Sequence, residues 1–224
     1  MNHKISCLIY DMDGLLLDTE KIYTEVTQEI VGEYGKVFDL SLKQSIIGRP
    51  SSDAAKIIVD SLDLPITAQD YLDSRKETLI KKFKNTQPMP GAKEMTSHFF
   101  SHGIPQAIAT SSSSPIYDAK YTKHKKWFSQ FDKIVRGDDP ELKLGKPAPD
   151  IFLLAAKRIG IEPEECLVFE DAPAGSEAAI AAGMSVVVVP HSEMGHKLFK
   201  NPSQILASLK DFDPQFWGLP KFPE

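Results

Sequence analysis

Two carboxylates one residue apart, in Asp11-Met12-Asp13-Gly14, follow directly on the apolar run Ile5 to Tyr10. Taken alone, Asp-x-Asp-Gly also suits an ordinary turn, because Asp and Gly adopt turn conformations readily. At the end of a buried strand, however, two carboxylates repel each other and require a cation or a shared proton. Both remedies lead to chemistry. A carboxylate can accept a phosphoryl group covalently, dividing ester hydrolysis into formation and breakdown of an aspartyl phosphate. A second carboxyl group beside it can protonate the leaving alcohol and afterwards take a proton from the attacking water. Asp11 suits the first role and Asp13 the second. The combined negative charge of nucleophile and phosphate calls for Mg²⁺, a hard cation that prefers oxygen ligands.

Three later clusters extend this arrangement. Thr110-Ser111 could offer a hydroxyl and a backbone N–H to phosphate oxygens, although a serine-rich turn is common without function. Lys146, in Gly145-Lys146-Pro147-Ala148-Pro149-Asp150, would place a compact positive charge between nucleophile and phosphate. Read singly, it is a surface lysine in a proline-rich turn. Glu170-Asp171 close the set, with Asp171 able to supply a carboxylate from a remote strand end. The ordered set carries the argument where no single member does. Arg49, a fixed positive charge in the loop Gly48-Arg49-Pro50, is a candidate substrate contact, with a solvent-exposed arginine as the plain alternative.

Such residues must be carried to one place. Apolar runs at Ile5 to Tyr10, Pro105 to Ala109, Lys133 to Val135, Cys166 to Phe169 and Ser185 to Val189 each end in polar or turn residues, which predicts five buried strands. Stretches with helical spacing lie between the last four, at 92–102, 150–159 and 174–182. Alternation of this kind predicts a Rossmann-like α/β core, a parallel sheet covered by helices on both faces. In an open parallel sheet the binding crevice forms beyond the carboxyl ends of the strands, where all four clusters fall. From about Leu17 to Thr86 the pattern is helical throughout, with helices expected at 19–34, 51–62 and 67–84. A segment of this size is a second, all-helical domain over 17–87, inserted into a core made of 1–16 and 88–224.

Bulk composition agrees with a folded globular chain: 224 residues, 42% hydrophobic and 25% charged. A formal net charge of -5 gives no global attraction to a nucleic acid polymer or an anionic membrane. The basic stretches Lys81 to Lys84 and Lys120 to Lys126 read as solvated helix faces. Cys7 and Cys166 sit in apolar runs and read as buried thiols in a reducing compartment, with the cytoplasm the default location. The expected partner is a small phosphorylated metabolite, and the expected state a monomer.

The four clusters, in this order, resemble the motifs of the haloacid-dehalogenase superfamily of phosphatases, over the whole chain. The resemblance implies that Asp11 is the nucleophile, that Asp13 is the acid/base and lends Mg²⁺ its backbone carbonyl, and that Thr110 and Lys146 hold phosphate. It also implies that Glu170 and Asp171 both serve the metal, with Asp171 ranked first of the two and their division left open. The helical insertion resembles the family's cap, which closes over the crevice and governs substrate choice. A closer likeness, to the eukaryotic pseudouridine-5′-phosphatases, rests on Asp11 to Glu20, Met89 to Ala92, Gly137 to Pro140, Gly145 to Phe152, Cys166 to Gly175 and Gly218 to Pro220. It implies pseudouridine 5′-phosphate or a related nucleotide as substrate. Ala174 stands where that group has Asn, Tyr10 where Phe is usual, and Gly48-Arg49-Pro50 where a lysine-bearing loop is familiar.

Three rivals remain. The β-phosphoglucomutases are similar in fold and motifs but return the phosphoryl group to a sugar. Their cap histidine and arginine correspond to Tyr23 and Ser51, which favours water as the acceptor. A dehalogenase would need neither Mg²⁺ nor a carboxylate at Asp13. A catalytically silent binding protein would have no use for the full charged set.

Overall fold

The computed structural model describes residues 4–46, 51–191 and 194–223. The first apolar run forms β1 (Cys7–Tyr10), buried at every position. Beyond it come β2 (Leu17–Asp18), then the helices α1 (Glu20–Gly32), α2 (Leu40–Ile46), α3 (Ser51–Ser61) and α4 (Ala68–Phe83), and β3 (Gln87–Pro88). The chain continues through α5 (Ala92–Ser101), β4 (Gln106–Thr110), α6 (Ser114–Tyr121), α7 (Lys125–Phe128) and β5 (Lys133–Arg136). It ends with α8 (Asp150–Ile159), β6 (Cys166–Glu170), α9 (Pro173–Ala181), β7 (Ser185–Val188) and β8 (Gln204–Ile205).

Six strands make one sheet in the order β5-β4-β1-β6-β7-β8, parallel at every pairing. Successive side chains of a strand point to opposite faces, so each strand contributes to two cores. Leu8, Tyr10, Ile108 and Phe169 pack with Met95 and Phe99 of α5 and with Phe212 and Leu219 near the C-terminus. Cys7, Ile9, Ala107 and Val168 pack on the other face with Phe152 and Ala155 of α8 and Ala178 of α9. Cys7 and Cys166 are neighbours in the β1–β6 register, both buried and unbridged. Register also sets the site: Tyr10 lies level with Ile108 on one side and Phe169 on the other. The residues that follow β1, β4 and β6 therefore emerge along one edge.

The helices between β2 and β3 have an apolar cluster of their own, including Val26, Ile58, Tyr71 and Phe83. β2 and β3 pair antiparallel, Leu17 opposite Pro88, and form the stem through which the chain leaves the core and returns. α4 starts at a reciprocal cap in which Asp70 N–H donates to Thr67 Oγ1 and Thr67 N–H to Asp70 Oδ2. The insertion is also fastened sideways, because Ala119 and Ile116 of α6 pack into its cluster. No helix among the described residues is long and apolar enough to cross a membrane.

Six elements depart from the sequence reading. β2, β3 and β8 have two residues each, too few for a pattern to register, and β2 and β3 put a strand pair at the ends of a segment expected to be all-helical. α2, α6 and α7 are short helices where none is predicted. α6 opens in the run Ser111 to Ser114, and a serine-rich segment reads as a turn. The correction matters for Lys120: the basic stretch 120–126 reads as solvated, yet Lys120 is fully buried. Lys123, Lys125 and Lys126 are exposed as expected.

Candidate active site

Beyond β1 the chain turns sharply. Asp13 N–H donates to Asp11 Oδ2 at 2.7 Å, which fixes one carboxylate against the backbone of the next. Gly14 follows at φ +77°, a conformation that strains any residue with a Cβ. A Cβ there would also lie 2.2 Å from Asp171 Oδ2, so the glycine is required for the approach of β1 to the end of β6.

Asp11 is 6% exposed. Lys146 Nζ contacts its Oδ1 and donates to Glu170 Oε1 at 2.7 Å and to the Ala109 carbonyl at 3.1 Å. A lysine has three N–H donors, so all three are engaged. Burial alone would favour the neutral amine, but Asp11 and Glu170 hold the Lys146 ammonium charged, above the ordinary lysine range. Asp11 is displaced upward by burial, opposed by Lys146 and reinforced by the nearby carboxylates of Glu170 and Asp13.

Glu170 is 1% exposed and saturated. Besides Lys146 it accepts the amides of Asp171 and Ala172, each at 2.9 Å. Gly175 makes room for it, since a Cβ there would fall 1.6 Å from Glu170 Oε1. Asp171 differs. It is 7% exposed, and among the described residues no donor reaches its carboxylate. Burial first, then Glu170 and Asp11, push its carboxyl well above the usual range. A buried carboxylate without a donor, beside a second carboxylate, is a place where a cation relieves electrostatic cost.

Asp13 is served from the opposite side. Lys120 Nζ contacts Asp13 Oδ1, while Ser112 Oγ donates to Asp13 Oδ2 at 2.9 Å and Thr110 Oγ1 lies 3.4 Å from the same oxygen. Burial would raise this carboxyl, but the Lys120 charge and the Lys120 and Ser112 hydrogen bonds outweigh it and leave Asp13 below the ordinary value. Lys120 was not a candidate from sequence, because its partners come from remote segments and its neighbours in the chain are lysines facing water.

Asp11, Asp13, Lys146, Glu170 and Asp171 line the floor of a cleft of about 720 Å³ between the sheet edge and the insertion, a size that suits a small ligand. Ser111, Ser112 and Lys146 line the cleft, whereas Thr110 is wholly buried, its hydroxyl accepting the Ser112 amide at 3.1 Å. Glu20, Tyr23, Lys43 and Arg75 line the insertion side. Gly48 and Arg49 lie outside the described residues, so the cations seen on that wall are Lys43 and Arg75, the latter stacked over the Tyr71 ring at 5.5 Å.

Among the described residues no three carboxylate, imidazole or thiolate side chains form a metal cage. The carboxylates gathered here, Asp11 and Asp171, would offer a sparse, all-oxygen donor set. Sparse oxygen ligation suits Mg²⁺, which keeps several of its waters.

A family model described as haloacid dehalogenase-like hydrolase matches residues 8–189. The chain is 45% identical, over 98% of its length and 76% of the relative's, to (DL)-glycerol-3-phosphatase 1, mitochondrial, of Arabidopsis thaliana. To a probable pseudouridine-5′-phosphatase of Drosophila melanogaster it is 39% identical, over 99% of its length and 97% of the relative's. Among solved structures, an HAD hydrolase of family IA, variant 3, from Entamoeba histolytica aligns with a TM-score of 0.80, covering 95% of this chain and 97% of its own. At 23% identity that likeness shows the fold alone. The chain therefore belongs to the haloacid dehalogenase-like hydrolases, as an enzyme of their phosphatase group.

Proposed function

We propose that the protein is a Mg²⁺-dependent phosphomonoesterase in which Asp11 is the nucleophile. The observation that carries this reading is the placement of Asp11 on the cleft floor, gripped by Lys146, with Asp13 two residues on and, beside it, the Asp171 carboxylate that no donor among the described residues reaches. Asp11 attacks phosphorus, the bond to the ester oxygen breaks, and the alcohol leaves with a proton from Asp13. Asp13 then takes a proton from the water that attacks the aspartyl phosphate, and inorganic phosphate departs. Lys146 keeps Asp11 oriented and its ammonium beside the charge that develops on the phosphoryl oxygens. Ser111 and the amides of its turn supply donors for those oxygens, and Thr110 shapes the turn.

Asp11, Asp171 and the Asp13 carbonyl would hold Mg²⁺, with Glu170 committed to Lys146 rather than to the metal. Bound there, the ion neutralises charge on the carboxylates and the phosphoryl group. The helical insertion serves as the cap, presenting Glu20, Lys43 and Arg75 to the rest of the substrate.

The substrate is a small hydroxylated phosphomonoester. Pseudouridine 5′-phosphate, expected from sequence, and glycerol 3-phosphate, named for a relative, are both small enough for the cleft. Tyr23 favours water over a sugar as acceptor, because its hydroxyl accepts from Lys120 at 3.3 Å and its ring packs on Phe83.

The test is phosphate release from a panel of nucleoside, sugar and glycerol monophosphates, with and without Mg²⁺. Turnover should require Mg²⁺ and fall at least about 10³-fold in Asp11→Asn, as expected when a covalent nucleophile is removed. Undiminished release by that variant would refute the assignment.

A further inference from the structure

One buried cation has no part in this scheme. Lys120 leaves α6 and enters the seam between the sheet edge and the insertion, where it is wholly excluded from solvent. Its ammonium contacts Asp13 Oδ1 and donates to Ser112 Oγ at 2.9 Å and Tyr23 Oη at 3.3 Å. It also lies 4.4 Å from the centre of the Phe83 ring and 5.3 Å from that of Tyr23, within reach of both π faces. Its three donors meet three acceptors. Wholly buried and outside the cleft lining, Lys120 does not reach a bound phosphoryl group. Its charge is spent on one oxygen of Asp13, while Ser112 holds the other at 2.9 Å.

We propose that Lys120 is the positioning residue for Asp13. It fixes the plane of that carboxyl toward the ester oxygen and, through Tyr23 of α1 and Phe83 of α4, links this orientation to the insertion. The proposal rests on the reading of Asp13 as the acid that protonates the leaving alcohol. In that step the electron pair of the breaking P–O bond passes to the ester oxygen, which takes the Asp13 proton. A misdirected carboxyl slows the step only where the leaving oxygen needs a proton. An alkoxide needs one, and p-nitrophenolate does not.

The experiment compares kcat, KM and inhibition by inorganic phosphate for wild type, Lys120→Met, Tyr23→Phe and Asp13→Asn. Two substrates are used: the alkyl phosphate that the wild type hydrolyses fastest, and p-nitrophenyl phosphate. Lys120→Met should lose about 10- to 100-fold in kcat/KM on the alkyl ester, part of what general acid catalysis supplies. Its phosphate inhibition constant and its kcat/KM on the nitrophenyl ester should be little changed, because kcat/KM reports the steps up to loss of the alcohol and not the later water attack in which Asp13 is the base. Tyr23→Phe, which removes one contact and keeps the ring, should show the same selectivity more weakly; it is the deciding variant if the melting curve of Lys120→Met shows a misfolded protein. Equal losses of kcat/KM on both esters, or a phosphate inhibition constant that rises in step, would overturn the proposal. If Asp13→Asn is selective and the Lys120 and Tyr23 variants are not, the positioning role alone fails. If Asp13→Asn itself is unselective, the acid assignment falls and the proposal with it; a wild type releasing no phosphate from any ester would refute the phosphatase reading first.

Discussion

Gly175→Ala sets two effects against each other, and their sizes decide the sign. Gly175 lies in α9, where alanine is ordinarily the better residue by about 1 kcal/mol. The Cβ, however, would fall 1.6 Å from Glu170 Oε1 and 2.0 Å from its Cδ, inside any tolerable contact. Glu170 must move, and with it go hydrogen bonds to Lys146 at 2.7 Å and to the amides of Asp171 and Ala172 at 2.9 Å. A hydrogen bond to a charged group contributes about 1.5–3 kcal/mol, so losing two of the three costs about 3–6 kcal/mol. The net is a destabilisation of about 2–5 kcal/mol after the helix gain is subtracted. For a chain of this length that lowers Tm by about 4–20 °C. Thermal unfolding followed by circular dichroism gives the number, and phosphate release should fall with it because Lys146 loses its second carboxylate. Placing the same substitution on a Glu170→Ala background removes the obstacle, and there alanine should be neutral or stabilising by up to about 1 kcal/mol. A raised Tm in the single variant, or additive losses in the double, would refute the reasoning.

Gly14→Ala forces a Cβ onto a backbone at φ +77° and to 2.2 Å from Asp171 Oδ2, so the concentration of Mg²⁺ for half-maximal turnover should rise about 10- to 100-fold, the usual cost of disturbing a ligand's support. A Mg²⁺ titration of phosphate release checks it, and an unchanged midpoint would remove Asp171 from the proposed ligands. Arg158 donates to Asp139 at 2.6 and 2.9 Å, and its hydrogen bonds hold that carboxyl below its ordinary value of 3.8. A depressed folded value means the pair stabilises above the unfolded value and ceases to do so as pH falls through the folded one. The Tm difference between wild type and Arg158→Ala should therefore be present at pH 7 and shrink below pH 4, as measured by melts across that range.

The strands of the core were legible because burial on both faces leaves an uninterrupted apolar run, as in Cys166 to Phe169 of β6. α8 was legible from its periodicity, and the predicted 150–159 coincides with Asp150–Ile159. Asp11 and Asp171 were legible from their places at strand ends, and Lys146 from its loop after β5, all on the side where the parallel sheet gathers such residues. Lys120 was not. It stands three residues before Lys123-His124-Lys125-Lys126 in composition-biased company, and only packing separates it from them. Its burial depends on Asp13, Tyr23 and Phe83, contributed by three segments that local pattern does not relate. Nor did spacing divide Glu170 from Asp171: that split rests on Gly175, which leaves room for one carboxylate to turn inward and be saturated.

Two aspartates separated by one residue thus sit in opposite electrostatic settings. Asp11 is pushed up by burial and by Glu170 and Asp13 against the pull of Lys146, while Asp13 is held down by Lys120. For a nucleophile and an acid the demand is the reverse: Asp11 ionised and Asp13 protonated. The remaining charges on the proposed reading supply the reversal. A divalent cation held by Asp11 and Asp171 would favour the ionised form of both. An ester dianion arriving beside Asp13 raises its carboxyl by like-charge repulsion. Metal and substrate together would therefore move the proton toward Asp13. Lys120 limits how far that shift can go and keeps Asp13 ready to release its proton once the alcohol oxygen becomes basic.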